Sequence, residues 1–595
     1  MDADSNLLVL GGPGSGKTTV AILKAGKLVT EALRPSQKII FLSFARSTVA
    51  RIIEALDQAR ELSEQDKRFI EVETYHAFFW RIIKSHGYLL GLPRKLTLLT
   101  PAAEAVALAP IRNGYPPEWK LNQGQRNERV ARELTERTRL SRDEGKVCFG
   151  LFADLAGQIL HGSRKIRKLI GEAYPWIILD EFQDTDDDQW TVVQALGQES
   201  GLIALADPEQ RIYEFIGADP ERLNHYREAF EPLEFNLADD NYRSCGTHIV
   251  NFGNDVLTGR FRKERYDGIV TLTFPANANQ AYAALKGQVF KARKRLIESG
   301  KIDWSLAVLV PTKRMTRTVS DYLRSDLAGM GPIHHHAFID VEAAVLAAEV
   351  IAFLLQPKAP QGDFEELVRL VCNFYEGRGG DTPSKTHLAE SARISAALDR
   401  AKQAHAKARQ IQKNSLILPM LVTYKAARAI EPTGDPDADW LSVRAALDQG
   451  PCTRLKEVAS EARNLRLLDR GTQLRVALSE TWRGSLSYRD ALETVRRAFV
   501  QEHFSSAWRP ETGVIVMNMH KAKGKQFDEV IIFEGWPHYD TRGRQIVSNP
   551  DRIVRRNLPD HDLSQERQNF RVSITRAKTC TTILTPGPDP CVLLL

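Results

Sequence analysis

Residues 11 to 18 read GGPGSGKT and follow the apolar run NLLVL. Gly11, Gly14 and Gly16 let successive backbone N–H groups turn inward around phosphate oxygens. Lys17 adds positive charge for the β- and γ-phosphates, and the hydroxyl of Thr18 is a ligand for Mg²⁺. Gly12, Pro13, Ser15 and Thr19 complete the cradle. A second stretch, YPWIILDEFQDTDDDQW at 174 to 190, is an apolar strand delivering Asp180 and Glu181 to its carboxyl end, where α/β sheets place their ligands. Asp180 suits Mg²⁺ held through water, and Glu181 suits a general base that polarises an attacking water. An isolated acidic pair is as well explained as a solvated strand end or helix cap; after a phosphate cradle it points to triphosphate hydrolysis.

Such groups must be carried at strand ends, and the sequence supplies the strands. Short β-branched runs separated by helical stretches mark a parallel α/β fold. They are LLVL (7–10), KIIFLSF (38–44), IEVETYH (70–76), WIILDEF (176–182), LIALADP (202–208) and LEFNL (233–237), then IVTLTF (269–274), SLAVLVP (305–311), GVIVMNMH (513–520), EVIIFEGW (529–536) and TTILTP (581–586). Two sheets are implied, each interrupted by a segment rich in Ala, Leu, Arg, Lys and Glu, at 79–148 and 356–504. The expected division is a first core at 1–78 and 149–239, a second at 240–355 and 505–595, and a helical insertion in each.

The chain's 595 residues exceed what one hydrophobic core fills. At 43% hydrophobic and 26% charged residues the composition is that of a globular protein, and no apolar run reaches the ~18 residues of a membrane span. LLVL is too short for a signal-peptide core. Six scattered cysteines contain no C-x-x-C pair. A reduced, cytoplasmic location is the expectation. Net charge is +6, too mild to establish a nucleic-acid partner by itself. The basic stretches 126–146 and 163–168 read equally as solvated helix faces. His334, His335 and His336 alternate faces if extended and read as a surface segment.

The motif DEFQDT, with ADPEQRIYEFIGA (206–218), DNYRS (240–244), MHKAKGKQFDEVII (519–532) and RVSITRAK (571–578), resembles the series of superfamily 1 DNA helicases of the UvrD/Rep/PcrA type. The likeness spans both expected cores and is weak over the helical insertions. It implies two RecA-like P-loop domains, ATP and Mg²⁺ as ligands, and single-stranded or tailed duplex DNA as the track, followed 3′ to 5′. By resemblance Gln210 senses the γ-phosphate, and Arg243 and Arg576 reach it from the second core. Tyr242 stacks on the nucleotide base, and Gln526 stands where a glutamate usually meets the ribose. Tyr75, His76, Tyr213 and Phe215 face DNA, and His520 and Lys523 bridge the DNA groove and the ATP cleft. Phe78, Phe79 and Trp80 are expected in the core.

Two departures accompany Gln526. Ile216 replaces an arginine usual near the DNA, and the few residues before the first strand leave no room for the family's adenine-reading glutamine. Two other functions fit this sequence. One is a DNA-stimulated ATPase subunit of a helicase–nuclease assembly, such as an anti-phage defence complex with a nuclease partner. The other is a non-catalytic DNA-binding subunit, against which the full set of catalytic residues argues.

Overall fold

The computed structural model describes residues 5–594 apart from 211–218, 238–242, 276, 339–341, 381–383, 408–409, 411, 464–472, 505–511, 537, 540–545, 548, 550 and 555–562. The chain divides into two compact units. One comprises Met1–Ile83, Ala153–Ile339 and Ser506–Leu595, the other Lys84–Phe152 and Asp340–Ser505.

The first unit holds two six-stranded sheets. The first is built from β1 (Leu7–Leu10), β2 (Ile39–Ser43), β3 (Ile70–Thr74), β4 (Trp176–Leu179), β5 (Gly201–Ala206) and β6 (Leu233–Asn236), in the order β3-β2-β4-β5-β1-β6. All its pairings are parallel. β2 and β4 are buried at every position, which explains their unbroken apolar runs: a parallel sheet covered on both faces has no polar side to show. The second sheet comprises β7 (Ile269–Phe274), β8 (Ser305–Val310), β9 (His336–Ala337), β10 (Gly513–Asn518), β11 (Phe527–Phe533) and β12 (Ala577–Pro586). Their order is β9-β10-β8-β11-β12-β7, again parallel.

Three local departures from the sequence expectation have clear causes. Tyr75 and His76 do not extend β3 but open the helix Tyr75–His86, because the Thr74 hydroxyl accepts the N–H of Ala77 (3.1 Å) and caps it. β4 stops before Asp180, and Glu181 turns the chain with a left-handed φ of 53°. The histidine run is not all surface. His335 is buried, with Nε2 2.8 Å from the Ser320 hydroxyl and Nδ1 2.8 Å from the Ile333 carbonyl, and burial pushes its pKa down to about 4. His334 is exposed.

The second unit is mostly helical, with one small parallel pair, Thr97–Leu99 against Lys146–Cys148. Helix Glu342–Leu355, grouped with the second core in the sequence reading, lies here and is buried from Ala343 to Leu355. Ala102, from the first helical stretch, belongs to the same apolar cluster, so both stretches share one core. The basic run 126–146 falls mostly on helix Gln123–Asp143, where Arg129, Arg137 and Arg139 pair with Glu118, Glu104 and Glu136. Asp363 anchors the unit: it accepts from Arg428 Nε (2.9 Å), Tyr424 Oη (2.8 Å) and the Ala359 N–H (2.8 Å). Arg428 also donates to the carbonyls of Leu354 and Gln356, closing the C-terminal end of helix Glu342–Leu355.

Removing one partner of a buried pair leaves an uncompensated charge, at a cost of about 3–5 kcal/mol. Arg428→Met is therefore expected to lower the urea midpoint of helix loss followed by circular dichroism at 222 nm. An unchanged midpoint would show that Asp363 needs no cation.

Candidate active site

The phosphate cradle lies between β1 and helix Lys17–Glu31. Gly14 and Gly16 have φ of 80° and 87°, the left-handed region that glycine enters without steric cost. A Cβ on Gly11 would stand 2.4 Å from the Ser15 hydroxyl oxygen, so the tight turn excludes side chains there. The Ser15 N–H donates to the Gly12 carbonyl (3.3 Å), and Pro13 is buried. The helix has no acidic residue in its first turn and no side-chain cap. Its N-terminal N–H groups and dipole therefore favour an anion. Lys17 Nζ donates to the carbonyls of Gly11 and Gly12. Burial lowers its pKa, opposed by Asp207, Glu181 and Asp180. Thr18 lies in the first helical turn, and Thr19 is exposed.

The acids come from the turn after β4. Asp180 is buried, and its Oδ2 accepts from the Ser43 hydroxyl at the end of β2 (2.9 Å). Burial, then the adjacent Glu181, raises its pKa. Burial also opposes ionisation of Glu181, but Lys523, Lys17, a hydrogen bond from Gln183 and Arg576 outweigh it and hold its pKa low. Gln183, fully buried, aims this carboxylate. Its Nε2 donates to Glu181 Oε2 (2.7 Å) while its Oε1 accepts the Asp207 N–H (3.1 Å). An ionised carboxylate beside a buried carboxyl that resists ionisation gives a base next to a second carboxyl oxygen donor. The Thr18 hydroxyl and Asp180 thus have the donor chemistry for Mg²⁺.

Basic groups arrive from the second sheet. Arg576, just before β12, is buried, and its Nε donates to the Val572 carbonyl (2.8 Å). Burial pushes its pKa down to about 10, while Glu181 supports the charge. Arg243 Nη1 donates to the Thr575 carbonyl (3.2 Å); burial, Arg576 and Arg51 all depress its pKa. Arg571, on helix Ser564–Ile574, reaches Glu209 (2.8 Å) and Asn254 (2.9 Å). Acids from one sheet and guanidiniums from the other therefore converge.

Several expected roles are corrected by placement. Tyr75 does not face DNA: its ring is fully buried, 4.6 Å from that of Phe44, and its pKa is raised by burial and then by Asp180 and Asp184. It stands behind the acidic turn. Lys523 turns inward rather than to a DNA groove and pairs with the buried Asp184. Gln526 meets arginines, its amide oxygen accepting from Arg243 Nε and Nη2 (3.1 Å each). His76 and His520 are half-buried, and burial lowers both pKa values. Phe78 and Phe79 are buried as expected, Trp80 only partly. Gln210 ends a 3-10 turn, Pro208–Gln210. Tyr213, Phe215, Ile216 and Tyr242 lie outside the described residues. The sequence reading missed Arg51, which carries no motif signal, and Gln183 and Asp207, which lie unremarked inside quoted motifs.

The Lys523–Asp184 pair ties the second sheet to the acidic turn. Burial, partly offset by Lys523, raises the Asp184 pKa to about 7 from 3.8. The folded carboxyl holds a proton that the unfolded one releases, so stability falls as pH rises across that window. Melting temperatures of wild type and Asp184→Asn between pH ~4 and ~7 should show the variant gaining on wild type as pH rises. A constant difference would mean that Asp184 is ionised throughout.

A family model described as an AAA domain matches residues 2–216. The Bacillus subtilis protein named "Putative ATP-dependent DNA helicase YjcD" is 21% identical over 97% of this chain and 76% of its own length. The ATP-dependent DNA helicase PcrA of Leuconostoc citreum is 23% identical over 53% of this chain, and Rep of Escherichia coli 25% over 40%. The chain spans less than half the length of these two, 46% and 39%. With two parallel sheets meeting at a phosphate cradle and the motifs in order, the chain is similar to the UvrD/Rep/PcrA type of superfamily 1 helicases.

Proposed function

We propose that this chain is a DNA-dependent ATP hydrolase that moves 3′ to 5′ along single-stranded DNA and opens tailed duplexes, acting in the cytoplasm. The observation that carries this reading is convergence: Lys17, Asp180 and Glu181 from the first sheet meet Arg243 and Arg576 from the second within one buried region. The names of the relatives support the DNA track. Among the described residues no helix is long and apolar enough to cross a membrane.

In this reading the cradle N–H groups and Lys17 bind the phosphates. Thr18 and Asp180 would hold Mg²⁺, which would supply charge neutralisation on the transferring phosphoryl group. Glu181, aimed by Gln183, accepts a proton from the attacking water. Arg243 and Arg576 stabilise charge that develops on the equatorial oxygens, an effect worth ~10³ to 10⁵ in rate for arginines so placed. Because Arg576 leads into β12 and Arg243 is held at the neighbouring Thr575 carbonyl, turnover is tied to the spacing of the sheets, and ATP hydrolysis is thereby coupled to stepping. His520, in the turn after β10, takes in this reading the role of linking strand binding to the ATP cleft.

Glu181→Gln should lower DNA-stimulated turnover by ~10² or more and leave nucleotide-analogue affinity within a few-fold. Wild type should unwind a 3′-tailed but not a 5′-tailed duplex. Turnover above a tenth of wild type in Glu181→Gln would remove it as the base. Unwinding from a 5′ tail would reverse the polarity.

A further inference from the structure

Helix Arg46–Gln58 follows β2 and carries none of the family motifs quoted above, yet it touches the second sheet's loop at the centre of the cleft. Arg51 Nη1 donates to the Gly524 carbonyl (3.1 Å) and to the amide oxygen of Gln526 (3.3 Å). That oxygen also accepts from Nε and Nη2 of Arg243 (3.1 Å each). The amide orientation is assigned from these donors, since with the opposite assignment its NH₂ faces only N–H groups. One neutral oxygen therefore joins a guanidinium of the first core to one of the second.

The approach is built into the backbone. Gly524 has a φ of 74°, and a Cβ there would stand 2.5 Å from the Thr48 hydroxyl oxygen, one turn before Arg51 on the same helix face. Glycine takes this φ without steric cost and leaves the Thr48 hydroxyl its place. The chemistry of the linker follows from its charge. Two guanidiniums side by side repel, and an oxygen accepting from both relieves the repulsion. A carboxylate would do so by forming a bidentate ion pair with Arg243. It would also cancel one positive charge beside a site that takes a polyanion. The amide holds both arginines and cancels none.

We propose that Arg51 is a positioning residue for hydrolysis: through Gln526 it fixes where Arg243 stands, and through Gly524 it fastens the second-core loop to the first core. This rests on the hydrolase reading above. Arg51 acts on the step in which Arg243 is used, not on nucleotide capture, so its loss belongs in kcat rather than in KM.

The test uses the full chain with saturating single-stranded DNA and compares Arg51→Ala, Arg51→Lys, Gln526→Ala and the double variant Arg51→Ala/Gln526→Ala. Hydrogen exchange of the 519–526 segment is followed without nucleotide. Arg51→Ala should lower kcat about tenfold or more with KM within about threefold. The double variant should be no worse than the poorer single, because both residues act through one linkage. Arg51→Lys, which keeps a charge but lacks the planar fork, should restore part of kcat, and Arg51→Ala should raise exchange in 519–526. A kcat within twofold of wild type in Arg51→Ala, losses that multiply in the double variant, or a rise in KM alone would overturn the proposal. Wild type without turnover, but with exchange in 519–526 raised by Arg51→Ala, would refute the hydrolase reading while leaving the linkage standing.

Discussion

Like charges held close together in a dry place set the terms for the rest of the structure. Arg51 and Arg576 depress the ionisation of Arg243, Arg51 also depresses that of Arg576, and Asp180, Glu181 and Asp184 contend on the other side. Burying any one of these without compensation costs several kcal/mol, so none can be placed by a loop alone. Asp180, Glu181 and Arg576 sit at the ends of buried parallel strands, whose register is fixed by apolar residues on both faces; Arg51 stands on the helix after β2. The apolar runs are in this sense part of the chemistry: a one-residue slip in β4 would turn its side chains to the opposite face of the sheet.

The same need for fixed placement explains the strained turn. Glu181 sits in the left-handed region, which costs a non-glycine residue about 1–3 kcal/mol. The strain persists because the surroundings over-determine it. Gln183 holds the carboxylate, Asp180 N–H still bonds to the Leu42 carbonyl of β2 (2.8 Å), and the Asp184 N–H bonds back to the Glu181 carbonyl (2.9 Å). A relaxed extended conformation would carry Glu181 along the strand direction and away from Lys17.

Much of this was legible in the sequence, for a reason that also marks its limit. Strands buried on both faces announce themselves as unbroken apolar runs, and the phosphate cradle as glycines at fixed spacing. Both sheets and Lys17, Asp180 and Glu181 could therefore be read directly. Partners brought together by tertiary contact leave no such trace. Arg51 looks like any surface arginine on an amphipathic helix. Lys523 looks like a groove cation, but Asp184, 339 residues away in sequence, draws it inward. The resemblance marks Tyr75 as DNA-facing but carries no sign of its burial, which follows from the helix start that Thr74 caps. The two helical stretches could not be seen to share one core, since amphipathic periodicity shows that a face is buried but not against what.

Dividing the charges between two sheets has a consequence that a single-sheet hydrolase would lack. A group that stabilises only the transition state accelerates the reaction, whereas one that binds ground state and transition state equally does not. Arginines rigidly fixed beside the cradle would favour both states. Carried on a second sheet and joined to the first through a neutral amide and a buried Lys–Asp pair, they can be brought to full strength at one stage of the cycle and withdrawn at another. The Gln526 linkage is suited to this because it holds by hydrogen bonds of modest net strength, about 0.5–1.5 kcal/mol, or 1.5–3 where a donor is charged. A bidentate ion pair at that point would cancel the charge of Arg243 as well as hold it.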